Sequence, residues 1–269
     1  MSNLLNEILE GVKNRYGQCD SYQDRGTLRF SLYQKEVSDT PALDQEVLVE
    51  TFFKRPSSFK STWHSGSQAQ QKTSGKLWAD GHSAKLYSLV ENPGNHLSSD
   101  NERTSENSAT GSEISFRSLS ELLASDQLGT VNLPAFMPLL LTQPELINEL
   151  LQPGWLVGDK CRQTNPKIEI DAGACWIISQ ETLPTTRSYW INKEDYRVEA
   201  MLYDFRARFW ESDLLNRMIG TLSQATGAIL RKPEWTLAGK SMGHRMFTQL
   251  YRIEEAHFDE PINAALFDY

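Results

Sequence analysis

The chain has 269 residues, 39% of them hydrophobic, and a formal net charge of −8. That is ample apolar weight for a core, and the acidic balance excludes broad nucleic-acid binding or attraction to anionic lipid surfaces while leaving room for a local basic patch. No run of about 18 apolar residues occurs, so no integral membrane segment is expected.

The opening Met1-Ser-Asn-Leu-Leu-Asn lacks the basic start and apolar core of a secretory signal. The expected compartment is the cytoplasm if Met1 is the native start, and the periplasm or another extracytoplasmic space if a signal segment was removed. Leu4, Leu5, Ile8, Leu9 and Val12 then recur at helical spacing, with Gly17 beyond them, which predicts an amphipathic helix lying on a broad apolar surface.

From Tyr22 to Tyr33 the apolar Leu28, Phe30 and Leu32 alternate with polar neighbours, and Val47, Val49 and Thr51 do the same before Phe53. Strands are also expected over 59–63, 75–79 and 83–89, with Ser65-Gly66 and Asp80-Gly81 as hairpin turns. The first ninety residues therefore read as a helix followed by an antiparallel meander.

Residues 91–115 are rich in Ser, Asn, Glu, Gly and Thr and nearly devoid of apolar side chains, which predicts a mobile polar loop. Ser118 with Glu121 three residues later has the pattern of a helix cap, opening a short helix through Leu123. The hydrophobic stretch from Val131 to Leu141 is broken by prolines, so a short helix is expected there, either filling the concave face of the sheet or acting as its lid.

Strand signals return over 175–179, 187–192 and 197–205, with Val198, Ala200, Leu202 and Asp204 expected on one face. Residues Leu214 to Ile229 follow helical spacing, and a last strand is expected over 247–256. The stretch near 212–240 thus reads as a helical insertion into a hairpin. The whole of 1–269 reads as a single domain.

No catalytic or metal constellation emerges. Gly239-Lys-Ser-Met-Gly243 matches a nucleophile-elbow pattern, but no buried strand leads into it, and His257 precedes Asp259, the wrong order for a later acid and histidine. Glu234 stands where a phosphate-binding loop would need a glycine. The five histidines lack ligand spacing, and the three cysteines, Cys19, Cys161 and Cys175, form no Cys-x-x-Cys pair; a Cys161–Cys175 bridge would require an oxidising compartment. No metal, cofactor or enzymatic activity is expected.

The remaining weight is aromatic: Phe52, Phe53, Phe59, Trp63, Trp78, Tyr87, Trp176, Trp190 and Tyr203 all fall on expected strands. Aromatics at this density form either a filled core or the lining of an apolar cavity suited to an acyl chain.

Four motifs in order, the leading helix before Tyr22-Gln-Asp-Arg-Gly26, Phe53-Lys-Arg-Pro56 before Phe59, Leu77-Trp-Ala-Asp-Gly81 before Tyr87, and Ser188-Tyr-Trp-Ile-Asn192 before a strand, give the chain its resemblance to the LolA/LolB-like outer-membrane lipoprotein carriers. The closing segment 262–267 is similar to that family's last strand entry. The resemblance implies an α+β fold in which a strongly curved antiparallel sheet, an unclosed β-barrel, covers one or more helices and wraps a hydrophobic cavity.

It further implies that Phe53, Phe59, Trp63, Trp78, Tyr87, Phe136 and Leu140 contact a lipid or acyl-chain ligand, with the 131–141 segment as lid. Arg55 would latch that lid by hydrogen bonds to its backbone, a role suited to a rigid guanidinium fork. The partner implied is a lipid, a lipoprotein or another protein, with no nucleic acid. The alternative is a protein-interaction module with a self-filled core and no ligand.

Overall fold

A computed structural model describes residues 2–33, 41, 43–65, 72–80, 82–91, 109–119, 121, 137, 140–142, 155–158, 173–182, 185–207 and 245–267. Phe136, Cys161, Ser241 and the expected insertion at 212–240 lie outside them. Helix α1 spans Ser2–Gln18. It buries Ile8, Leu9, Val12 and Tyr16, one stripe at helical spacing, whereas Leu4 turns to solvent.

Eleven strands follow: β1 (Ser21–Tyr33), β2 (Leu43–Lys54), β3 (Ser58–Ser65), β4 (Lys72–Ala79), β5 (Ala84–Glu91), β6 (Ala109–Phe116), β7 (Trp155–Gly158), β8 (Cys175–Thr182), β9 (Thr185–Asn192), β10 (Val198–Ala207) and β11 (Arg245–Phe258). All join one sheet in the order β6-β5-β4-β3-β2-β1-β11-β10-β9-β8-β7. Every pairing is antiparallel. Among the described residues the terminal strands β6 and β7 do not pair with each other, so the sheet is unclosed, as the resemblance implies.

Twist and two irregularities bend it: the register slips between Arg25 and Gly26 and between Val198 and Ala200. The second slip corrects an expectation. Val198 joins the main core with Met201, while Ala200 and Leu202 pack on the opposite face with Cys175, Ile177 and Trp190. A strict two-residue alternation cannot register the extra residue of a bulge.

The 91–115 loop is corrected in part, because β6 begins at Ala109 and pairs with β5 along its whole length. An edge strand can be polar on both faces, since the neighbouring strand supplies its hydrogen bonds and little burial is required. Strand β7, only four residues long, was not anticipated. Residues 264–267 form a 3₁₀ turn rather than a strand entry. That turn lies against the outer face of β3 and β4, where Lys60 Nζ donates to Leu266 O at 2.8 Å and Trp78 Nε1 donates to Phe267 O.

Other local expectations hold. Asp80 Oδ1 accepts the amides of His82 at 2.8 Å and Ser83 at 2.9 Å, closing the β4–β5 turn. Ser118 Oγ accepts from Glu121 N at 3.1 Å, and Glu121 reaches back to Arg117 N at 2.7 Å, a reciprocal cap. Met137, Leu140 and Leu141 are helical and buried in the main core. Among the described residues no helix is long and apolar enough to cross a membrane.

Candidate functional site

The inner face of the sheet, under α1, is built in rows by strand register. One row runs Tyr22, Phe53, Phe59, Ala79 and Ala84. Two residues along, the next runs Asp24, Thr51, Ser61, Leu77 and Leu86, and the next after that Gly26, Val49, Trp63 and Gly75. A polar row therefore lies between two apolar ones, and Asp24, Thr51 and Ser61 are all buried.

Alternation divides the residues expected to contact a ligand. Phe53, Phe59 and Trp63 share the inner face and one cluster with Leu140. Trp78 stands opposite Lys60 and Lys85, and Tyr87 opposite Lys76, on the outer face. They cannot line the same interior, because neighbours along a strand point to opposite faces. Phe52 is an outer residue as well, opposite Lys60.

Trp63 lies flat across the sheet over Gly75. A Cβ built on Gly75 would sit 2.0 Å from the indole ring, so only glycine permits the approach. Among the described residues the indole N–H finds no hydrogen-bond partner, and neither does the buried hydroxyl of Ser61, whereas the Thr51 hydroxyl is turned to Asp24. The Trp155 indole N–H, near the far edge of the same core, is also unpaired. An orphaned buried polar atom forfeits its hydration without recompense, so the pair on Ser61 and Trp63, successive inner positions of β3, is an unusual local concentration.

Asp24 is well satisfied. Tyr22 Oη donates to Oδ2 at 2.7 Å and Tyr251 Oη to Oδ1 at 2.9 Å. Burial pushes its carboxyl up to about 6, and hydrogen bonds from the two phenols and from Thr51 oppose that rise without cancelling it. Burial first, then the Asp24 charge, holds both phenols well above their ordinary range, so they remain donors.

Arg55 begins the β2–β3 turn and meets α1, not the 131–141 segment, among the described residues. Its Nε donates to Cys19 O at 2.6 Å, and its Nη2 to Tyr16 O at 3.1 Å and to Gly17 O. The last carbonyls of a helix have no intrahelical donors, and a forked cation at that end satisfies several at once. Among the described residues Arg55 is thus a helix-end cap. The same corner is tied by Asp20 N to Asp259 Oδ1 at 2.7 Å and by Val198 N to Tyr16 Oη at 3.1 Å.

A cleft of about 610 Å³ opens on the exposed flank of α1, lined by Glu7, Glu10, Asn14, Arg15, Asp195 and Asp259 among others. Its charged walls suit no acyl chain. Among the described residues no group of His, Cys, Asp and Glu is placed to hold a metal ion. His64 and His82 are exposed, and His257 is within 3.1 Å of Glu260 at the surface.

Sequence reasoning passed over Asp24, Thr51 and Ser61. The signal was present: Phe59, Ser61 and Trp63 alternate in phase, as do Thr51 and Phe53, so a hydroxyl was bound to share the face of the aromatics.

No protein-family model matches the chain, and no curated protein does. A solved structure is similar at a distance. It is a Vibrio parahaemolyticus domain that carries the name of an outer membrane lipoprotein-sorting protein, with 8% identity and a TM-score of 0.33, over 97% of this chain and 95% of that one. A likeness so distant leaves the site to be read from its own residues.

Proposed function

We propose that the chain binds or carries an apolar ligand, a lipid or the acyl part of a lipoprotein, on the inner face of its unclosed sheet, and that the 131–141 segment gates access. The observation that carries this reading is the composition of that face. Phe53, Phe59 and Trp63 line it, Met137, Leu140 and Leu141 join the same apolar cluster, and hydrogen-bonding atoms within it lack partners. A self-sufficient core has no use for such atoms. Each buried methylene of an acyl chain contributes about 0.8 kcal/mol, so a chain of about ten carbons binds usefully even after the entropic cost of association. The reading is of a non-enzymatic protein.

A second reading, an interaction module with a filled core, is favoured by α1 itself, which already buries Ile8, Leu9, Val12 and Tyr16 against the sheet. Titration of the delipidated protein with the fluorescent apolar probe N-phenylnaphthylamine, followed by displacement with fatty acids and lysolipids of increasing length, separates the two. Saturable uptake, displacement that strengthens with chain length, and loss of uptake in a folded Leu140→Glu variant fit the carrier. An absence of uptake, with Leu140→Glu simply unfolding the protein, fits the filled module.

A further inference from the structure

The row between the two aromatic rows deepens the reading above and rests on it. Thr51 and Ser61 are directly paired across β2 and β3, and Trp63 follows Ser61 on the same face. All three are more than nine-tenths buried, and Ser61 Oγ and Trp63 Nε1 are without partners among the described residues. Asp24, next in the row, accepts from Tyr22 and Tyr251 and is hydrogen-bonded by Thr51 as well, so Thr51 is engaged and Ser61 and Trp63 are left over. An indole N–H can only donate, and a hydroxyl donates as readily as it accepts. Ser61 and Trp63 therefore offer two donors inside an apolar surround, with the indole fixed over Gly75.

We infer that Ser61 and Trp63 form a subsite for an uncharged carbonyl, so that the ligand is an acyl ester or acyl amide bound through its linkage and not a bare hydrocarbon chain. A carboxylate is a poorer fit. No cationic side chain belongs to the inner rows, and Asp24 lies next in line beside Thr51. An ester or amide oxygen accepts two hydrogen bonds without bringing charge into the core. The acyl chain would extend from there along the aromatic rows.

The test compares methyl myristate with pentadecane, two probes of similar length that differ in the ester, each displacing N-phenylnaphthylamine from the delipidated full-length protein. Wild type is expected to prefer the ester by about tenfold or more. Ser61→Ala should cut ester affinity roughly three- to tenfold while leaving pentadecane unchanged, the loss expected for one neutral hydrogen bond, and Trp63→Phe, which also trims the apolar lining, should weaken the ester roughly three- to tenfold more than it weakens pentadecane. Equal affinity for the two probes in wild type, or variants that keep the preference, would overturn the subsite while leaving the carrier reading intact. Binding of neither probe would overturn both. If a variant fails to fold, the wild-type ratio alone decides.

Discussion

Arg55 and Asp24 show how a single side chain earns a place that its neighbours in sequence do not reveal. Arg55 donates to three carbonyls at the end of α1, so Arg55→Ala should destabilise the protein by about 1–3 kcal/mol in urea denaturation. Arg55→Lys should recover only part of the loss, because an ammonium cannot reproduce the planar fork. Asp24 sets a pH dependence. Its folded pKa of about 6 lies above the usual carboxylate value, so the folded state holds this proton more tightly than the unfolded chain. Stability from this group is then present at low pH and lost as pH rises from about 4 to 6. Comparing Asp24→Asn with wild type should therefore show the variant gaining about 2–3 kcal/mol in relative stability between pH 4 and pH 7. A difference between the two that is flat across that range would contradict the assignment. Arg55 was legible from the sequence as a residue with a backbone-binding task, but its target was not, because nothing in Phe53-Lys-Arg-Pro56 says which unsatisfied carbonyls will be nearest. Asp24 reads in sequence as one polar residue in Tyr22-Gln-Asp-Arg; its burial follows only from the register that sets it between Tyr22 and Tyr251.

Elements were legible where alternation was strong and ran unbroken. β3 alternates buried and half-buried residues from Ser58 to Trp63, and its pattern alone identifies it. β6 was missed because Ala109 to Ser115 has almost no apolar signal and depends on β5 for its hydrogen bonds. β7 has only four residues, too few for a period to establish itself. The face of β10 was misread because one bulge separates Val198 from Ala200. Close approaches between elements make a prediction at this scale. Gly75→Val should push the Trp63 indole off β4 and cost about 1–3 kcal/mol, seen as a lower melting temperature and a red-shifted tryptophan emission. Gly11 plays the same part between α1 and the β9–β10 turn, where a Cβ would meet the Tyr196 ring at 2.1 Å, so Gly11→Leu should loosen the seating of the helix and expose Tyr196 to chemical iodination.

For the molecule as a whole, the order of eleven strands with two unpaired ends leaves an open sheet among the described residues, and the 17-residue α1 is set against it. The antiparallel meander was readable from the succession of hairpins, whereas the openness of the sheet came from the family resemblance. The division of Phe53, Phe59 and Trp63 from Trp78 and Tyr87 was not, because it depends on which face the helix covers. A sheet lined in this way, with the Ser61 hydroxyl and the Trp63 indole N–H unpaired among the described residues, is expected to hold something. The most direct measurement is native mass spectrometry of the purified protein beside its denatured, solvent-extracted form. The carrier account predicts a co-purifying acyl species that appears as added mass in the native spectrum and is recovered in the extract. A clean apoprotein mass that stays unchanged on adding fatty acids, lysolipids and acylated peptides would contradict it.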